Sequence, residues 1–294
     1  MKWDFRKLST VKYETNTYDI SEEYKGICVI TDTADVILIP SEDGKTRVVC
    51  YEETKAKHSV SVSKDGVLQI KIKDDRAWYD HIGFNYDTCR ISVYIPAKEY
   101  ESLSVDGKTG DVKIPKSFGF KNVSVFGSTS DVECYASVTE TLKVHLSTGD
   151  IFVRDTNIGS MELKVSTGDI RVSRVDCGGK VDVAVTTGDV RFESLSCGSL
   201  FSKGSTGEIT LNKVIVTGKL SIERSTGDVE LERSDASEIF IKTSTGDVEG
   251  SLLSEKVFIY RTDTGDVRIP HTTSGGKCEI ETSTGDIEIK IASK

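Results

Sequence analysis

Ten acidic side chains recur through the last two-thirds of this sequence, 19 or 20 residues apart: Asp111, Asp131, Asp150, Asp169, Asp189, Glu208, Asp228, Asp247, Asp266 and Asp286. Stacked along one edge, they would form a row of oxygen donors, suited either to binding a hard cation or to hydrogen-bonding backbone. Calcium takes about six to eight oxygens from several positions. The glycine-rich nonapeptide of calcium-binding β-rolls is absent. Thr stands two places before the acidic residue in all ten copies, and Gly stands one place before it in nine, Ser130 being the exception. Gly reaches positive φ without steric cost, and a following Asp can fold its carboxylate onto nearby N–H groups. The expected role is therefore a structural corner and not a metal site. Such corners are expected at Gly110–Asp111, Gly149–Asp150, Gly168–Asp169, Gly188–Asp189, Gly227–Asp228, Gly246–Asp247, Gly265–Asp266 and Gly285–Asp286. Lys113, Arg171, Arg191 and Arg268 stand close enough in sequence to offset repulsion between the carboxylates.

Other reactive residues are scattered. The four histidines are at 58, 81, 145 and 271, and no Ser/His/Asp or Cys/His set assembles from their spacing. Carboxylates are so abundant that an arbitrary acid–base pair carries no weight. The seven cysteines (28, 50, 89, 134, 177, 197 and 278) include no CxxC pair and no ligand-spaced cluster, which argues against a zinc site and a disulfide framework. Cys177 and Cys197 occupy equivalent connectors and are expected to stack on adjacent coils, where a disulfide or two reduced thiols would fit. The Thr column lies beside a turn glycine and not on a flat strand, so it does not suit ice binding. The expectation is no catalytic residue, no bound cofactor and no metal. One segment, 74–87, is rich in aromatic and acidic residues. Trp78, Tyr79, Phe84 and Tyr86 there would form either a recognition loop or a lid over the first coil.

The elements that carry these residues follow from the columns. Val or Ile follows the acidic residue in all ten copies, and the residue eight places before it is apolar in all ten, from Leu103 to Cys278. Such alternation describes two short strands per unit joined by Ser-Thr-Gly-Asp, with a connector of about seven residues closing each turn. No segment shows sustained helical spacing, and a 19-residue unit is too short for a strand, a crossover helix and a turn. The predicted fold is all-β: a single-stranded parallel β-solenoid of about ten coils, right-handed on the general chirality of crossovers. Strands of successive coils are expected to pair in register, about 4.8 Å apart.

Residues 1–102 are expected to form an arm, a degenerate first coil and a mixed or antiparallel β cap, with 103–294 as the regular solenoid. Residues 1–20 show no clear pattern. Ile27 to Pro40 reads as a first coil with a degenerate corner, Thr33-Ala34-Asp35-Val36. Longer strand candidates follow at Thr46–Tyr51, His58–Ser63, Val67–Lys73 and Arg90–Ile95, with Lys64-Asp65-Gly66 as a hairpin turn. Solenoid ends need a cap of this kind.

Net charge is −9 over 294 residues, with no block of like charge. This argues against a nucleic-acid partner, because phosphate contacts need Lys and Arg. The sequence begins without an apolar signal region, and no apolar run is long enough to span a membrane.

Repeated Ser-Thr-Gly-Asp-Ile/Val units, at Ser147–Ile151, Ser166–Ile170, Ser225–Val229 and Ser283–Ile287, resemble the bacterial family of β-strand-repeat proteins of unknown function that carries an adhesin label. The resemblance spans roughly 23–294 and includes the Thr-Ala-Asp-Val corner and Tyr94-Ile95-Pro96. It implies a non-catalytic scaffold or adhesin-like module at a surface or envelope, with a protein or glycan surface as partner. The alternatives are a carbohydrate-active β-helix enzyme and a structural partner in envelope-stress sensing. Relatives that begin as Phe5 to Glu14 does often carry an upstream membrane anchor. The expected location is extracytoplasmic and membrane-tethered if such an anchor has been removed, and cytoplasmic otherwise.

Overall fold

The computed structural model describes residues 11–74 and 88–292. These residues form strands, turns and bends with no helix, in one continuous 23-stranded sheet. Parallel ladders hold coil on coil in register. One inward column runs Val144, Leu163, Val183, Ser202, Ile222, Ile241, each directly paired with the next. The core is this stack of β-branched and leucine side chains, nearly all of them fully buried. Alternation along a pleated strand sends every second side chain into the stack and the rest to solvent. Burying each such side chain contributes about 1.5–3 kcal/mol.

The seven-residue connectors carry strand of their own. Ile151–Thr167, Ile170–Thr187 and Val190–Thr206 each run as one strand through the connector. The chain bends within each of them at a single residue of positive φ. The bends form a second corner column: Asp155 (55°), Arg174 (53°), Ser194 (53°), Lys213 (54°) and Arg233 (46°). Asp tolerates this left-handed region, whereas Arg, Ser and Lys occupy it at a cost of about 1–3 kcal/mol each.

At the N-terminal end, β1 (Tyr13–Ile20), β2 (Gly26–Ile30), β3 (Asp35–Pro40), β4 (Thr46–Glu53), β5 (Ala56–Val62), β6 (Val67–Asp74) and β7 (Arg90–Ile95) precede the regular coils, which start with β8 (Glu99–Thr109) and β9 (Val112–Ile114). β2 lies between β6 and β8, and β3 lies between β7 and β9. The first coil in sequence is therefore second in the stack. β5 and β6 form the predicted hairpin, while β4 pairs antiparallel with both β7 and β1. These antiparallel strands cover the outer edges of β6 and β7 and make the cap. Residues 13–20, read as patternless, are a paired strand of it. Half-buried alternation in a polar segment leaves little signal to read. Trp78, Tyr79, Phe84 and Tyr86 lie outside the described residues.

The C-terminal end also departs from chain order. The strand Val229–Lys242 pairs with Gly276–Thr284, and only that strand pairs with Lys256–Thr264. The Asp286 coil is thus inserted between the Asp247 and Asp266 coils, and the Asp266 coil is outermost. Pro270 gives a physical reason. It lacks an N–H, and the strand after Asp266 stops at Arg268, so this coil suits an edge better than a position between two ladders.

Candidate functional site

The predicted corners are joints between coils. Each Asp Oδ1 accepts the backbone N–H of the acidic residue in the next coil of the stack, at 2.7–3.0 Å, from Asp111 N–H on Asp35 to Asp266 N–H on Asp286. The carboxylate reaches across coils and not back into its own turn, as an Asx turn would. One link is missing. Glu208 turns its longer side chain to accept from Thr210 Oγ1 at 3.0 Å, and the Asp228 N–H receives no bond from it. Cations flank the ladder: Arg171 lies 2.9 Å from Asp169, Arg191 lies 3.7 Å from Asp189, and Arg268 lies 3.3 Å from Asp266. Gly188, at φ 139°, packs so closely that a Cβ there would meet Gly168 O at 2.0 Å.

The cap holds a polar cluster that spacing did not reveal. His58 Nδ1 lies 2.6 Å from Glu52 Oε2, and His58 Nε2 lies 3.1 Å from Thr31 Oγ1. The same Glu52 oxygen accepts the His58 backbone N–H at 2.6 Å, and Asn16 Nδ2 donates to Glu52 Oε1 at 2.8 Å. Tyr18 OH donates to the His58 carbonyl at 2.8 Å. Hydroxyl, imidazole and carboxylate in this order match a nucleophile–base–orienter relay. Cys50, Glu52 and His58 also bring sulfur, oxygen and nitrogen donors within 4.8 Å of one another. Neither chemistry fits the surroundings well. Thr31 is 7% exposed, His58 4% and Glu52 1%, so substrate has no route to the hydroxyl. Both Glu52 oxygens and both His58 ring nitrogens already have partners. Burial, with Glu52 adding to it, pushes the Cys50 thiol up to about 12. The cluster reads as a satisfied buried network that ties β1, β4, β5 and the residue after β2 together. Its members come from β1, β4, β5 and, for Thr31, the residue just after β2, and Glu52 and His58 stand six residues apart across the turn at 54–55, which no ligand or triad spacing would flag.

The second corner column borders an open groove of about 650 Å³. Tyr135, Asp155, Asn157, Arg174, Ser196 and Lys213 line it, contributed by five successive coils. At about 4.8 Å per coil the groove extends for roughly 20 Å. Arg174 grips Asp155 with Nε at 2.6 Å and Nη2 at 3.0 Å, and this hydrogen bonding holds the Asp155 carboxyl below its usual range. Ser196 Oγ donates to Asp176 at 2.7 Å, and the Arg154 guanidinium lies 5.3 Å over the Tyr135 ring. Ile215 stands exposed at one end. Cys177 and Cys197 pair in register beneath this face as free thiols.

No helix among the described residues is long and apolar enough to cross a membrane. Two solved structures share the fold. A protein of Parabacteroides merdae ATCC 43184, provisionally named an adhesin, is 11% identical with a TM-score of 0.54, over 81% of this chain and 96% of that one. A second, from Parabacteroides distasonis ATCC 8503 and provisionally named likewise, is 14% identical with a TM-score of 0.51, over 93% and 98% of the two chains. No curated protein matches the sequence. The family model described as Toastrack DUF4097 matches residues 24–194 and again 178–294, from the degenerate first coil to the last residue, and the chain belongs to that family.

Proposed function

We propose that this protein is a non-catalytic binding scaffold of a bacterial surface or envelope, and that the groove along the second corner column is its binding face. The observation that carries this reading is the groove itself. Charged, hydroxyl and amide groups repeat along it at the coil spacing, beside Tyr135 and Ile215. An extended chain with its own regular repeat, such as a glycan, would meet a donor or acceptor on each coil. The groove residues sit on a bend held by ladders on both sides, so the face is fixed before the partner arrives, which limits the ordering cost of binding. The adhesin names of proteins with this fold agree with the reading.

The test is binding of the intact protein to arrays of bacterial glycans, comparing the parent with Arg174→Asn. Asn accepts the left-handed conformation, so the fold should persist while the guanidinium is lost. Affinity for whatever the parent binds should fall at least about tenfold, equal to about 1.4 kcal/mol. Unchanged binding by Arg174→Asn would move the binding face elsewhere. Cleavage of a glycan by the purified protein would refute the non-catalytic assignment.

A further inference from the structure

Two adjacent coils depart from the repeat together. In the Glu208 coil, Ser202 and Gly204 take inward positions held two coils earlier in sequence by Leu163 and Val165, and in the next coil Arg224 stands where Val185 stands two coils below. Arg224 is 4% exposed. Its guanidinium occupies the room that Gly204 leaves, where a Cβ would meet Nη1 at 1.7 Å. Nη1 reaches the Val185 carbonyl at 3.5 Å, the outer limit of a hydrogen bond. Among the described residues, Nε and Nη2 have no acceptor, and the buried Ser202 Oγ has no partner. Asp189 is the carboxylate whose charge acts on Arg224, and no ion pair joins them. Arginine keeps its proton in proteins. This cation is therefore buried, charged and largely unmatched, an arrangement that is costly unless something supplies acceptors.

Arg224 forms part of the wall of an open recess of about 490 Å³, with Ser205, Ser225, Ser244, Lys203 and Lys242 around it. The recess also contains Glu223, which is occupied by Lys203 at 3.2 Å, while Lys242 pairs with Glu281 at 2.8 Å. Three cations against one carboxylate within the recess, together with a column of hydroxyls, favour an anion. Nε and Nη2 share one buried, unpartnered edge of the planar guanidinium, and an oxygen acid that reaches this edge can be held through parallel bonds.

We propose that this recess binds a single oxyanion, of the carboxylate, sulfate or phosphate class, with Arg224 as its main ligand and the serine hydroxyls and the two lysines around it. The anion comes either free from solution or as the acidic group of a surface polymer. The site lies on the strand before the first corner, away from the groove proposed above, and does not depend on it.

The test uses the intact protein at constant ionic strength, titrated with inorganic phosphate, inorganic sulfate, a uronic-acid oligosaccharide and its neutral counterpart. A ligand that binds only the folded state raises its melting temperature. We expect a rise of several degrees with at least one acidic probe, none with the neutral sugar, and none with any probe in Arg224→Met. A response to the uronic-acid chain alone identifies the polymer as the source, and a response to the free ions identifies solution anions. Without anion, Arg224→Met should melt at or above the parent, because an apolar side chain replaces an unmatched buried charge. If Arg224→Met does not fold, Arg224→Lys keeps the charge without the fork and should bind at least tenfold more weakly. Arg174→Asn should leave the response intact, which separates this site from the groove. The proposal is overturned if the parent responds to no acidic probe, or if the response survives removal of the guanidinium.

Discussion

At a corner, one carboxylate and two backbones make a joint. Asp169 Oδ1 accepts from the Asp189 N–H at 2.9 Å, and Gly188 passes so close to Gly168 that no side chain fits. Gly188→Val would meet both a forbidden φ and a backbone oxygen, and should destabilise by about 2 kcal/mol or more in urea unfolding. The converse change is more informative. Glu208 breaks the ladder because its extra methylene carries the carboxylate to Thr210. Glu208→Asp should restore the bond to the Asp228 N–H and raise stability by about 1 kcal/mol. A neutral or negative result would show that this joint contributes nothing to stability. The corner was legible in the sequence because Thr, Gly and Asp recur at a fixed interval. What the carboxylate bonds to was not, because an Asx turn and an inter-coil bond demand the same residues. Arg224 was invisible for the opposite reason: a single charged residue in an apolar column has no periodic signature, and only packing shows that Gly204 makes way for it.

Strands were read well where alternation is strong and poorly where polar residues sit on both faces. β4 to β7 fell close to their predicted bounds, and the Lys64-Asp65-Gly66 hairpin is present between β5 and β6. β1 was missed, and with it the Asn16 and Tyr18 contacts that complete the buried Glu52–His58 network. That network needs strand partners separated by up to about forty residues, so no local pattern announces it. On the outer face of the coils, neighbouring strands share charge clusters. Glu162 is held down to about 2, chiefly by the hydrogen bond from Lys164, then by those from Lys143 and His145, with partial burial opposing them. A carboxyl lowered in the folded state stabilises it fully above the ordinary value near 4.5, and this contribution is lost as pH falls toward 2. Glu162→Gln removes the titrating group. Relative to the parent, its stability should therefore depend less on pH between about 4.5 and 2 when followed by acid titration at fixed urea. Parallel curves in that window would mean the cluster forms no tighter in the folded chain than in the unfolded one.

The whole molecule is a stack with one coil out of turn at each end. At the N-terminal end β6 and β7 lie outside β2 and β3 and are sealed by antiparallel strands. At the C-terminal end the Asp266 coil is outermost, and among the described residues no further coil pairs above it. Tyr260 is 48% exposed in a column whose other members are almost wholly buried. A fixed repeat fixes the unit and the spacing but not the order in which units stack, since every coil offers its neighbours the same ladder. Chain order would bury Tyr260 between the Asp247 and Asp286 coils and leave Ile280 at the end. The observed order does the reverse, with Ile280 fully buried. Two substitutions separate these arrangements. In the observed stack, Tyr260→Lys places an ammonium at an open end and should change stability by less than about 1 kcal/mol. Ile280→Lys places the same charge inside a closed column and should cost about 4 kcal/mol or more, or prevent folding. Thermal melts of the two variants side by side decide the order: equal losses, or a larger loss for Tyr260→Lys, would mean that the last two coils stack in sequence.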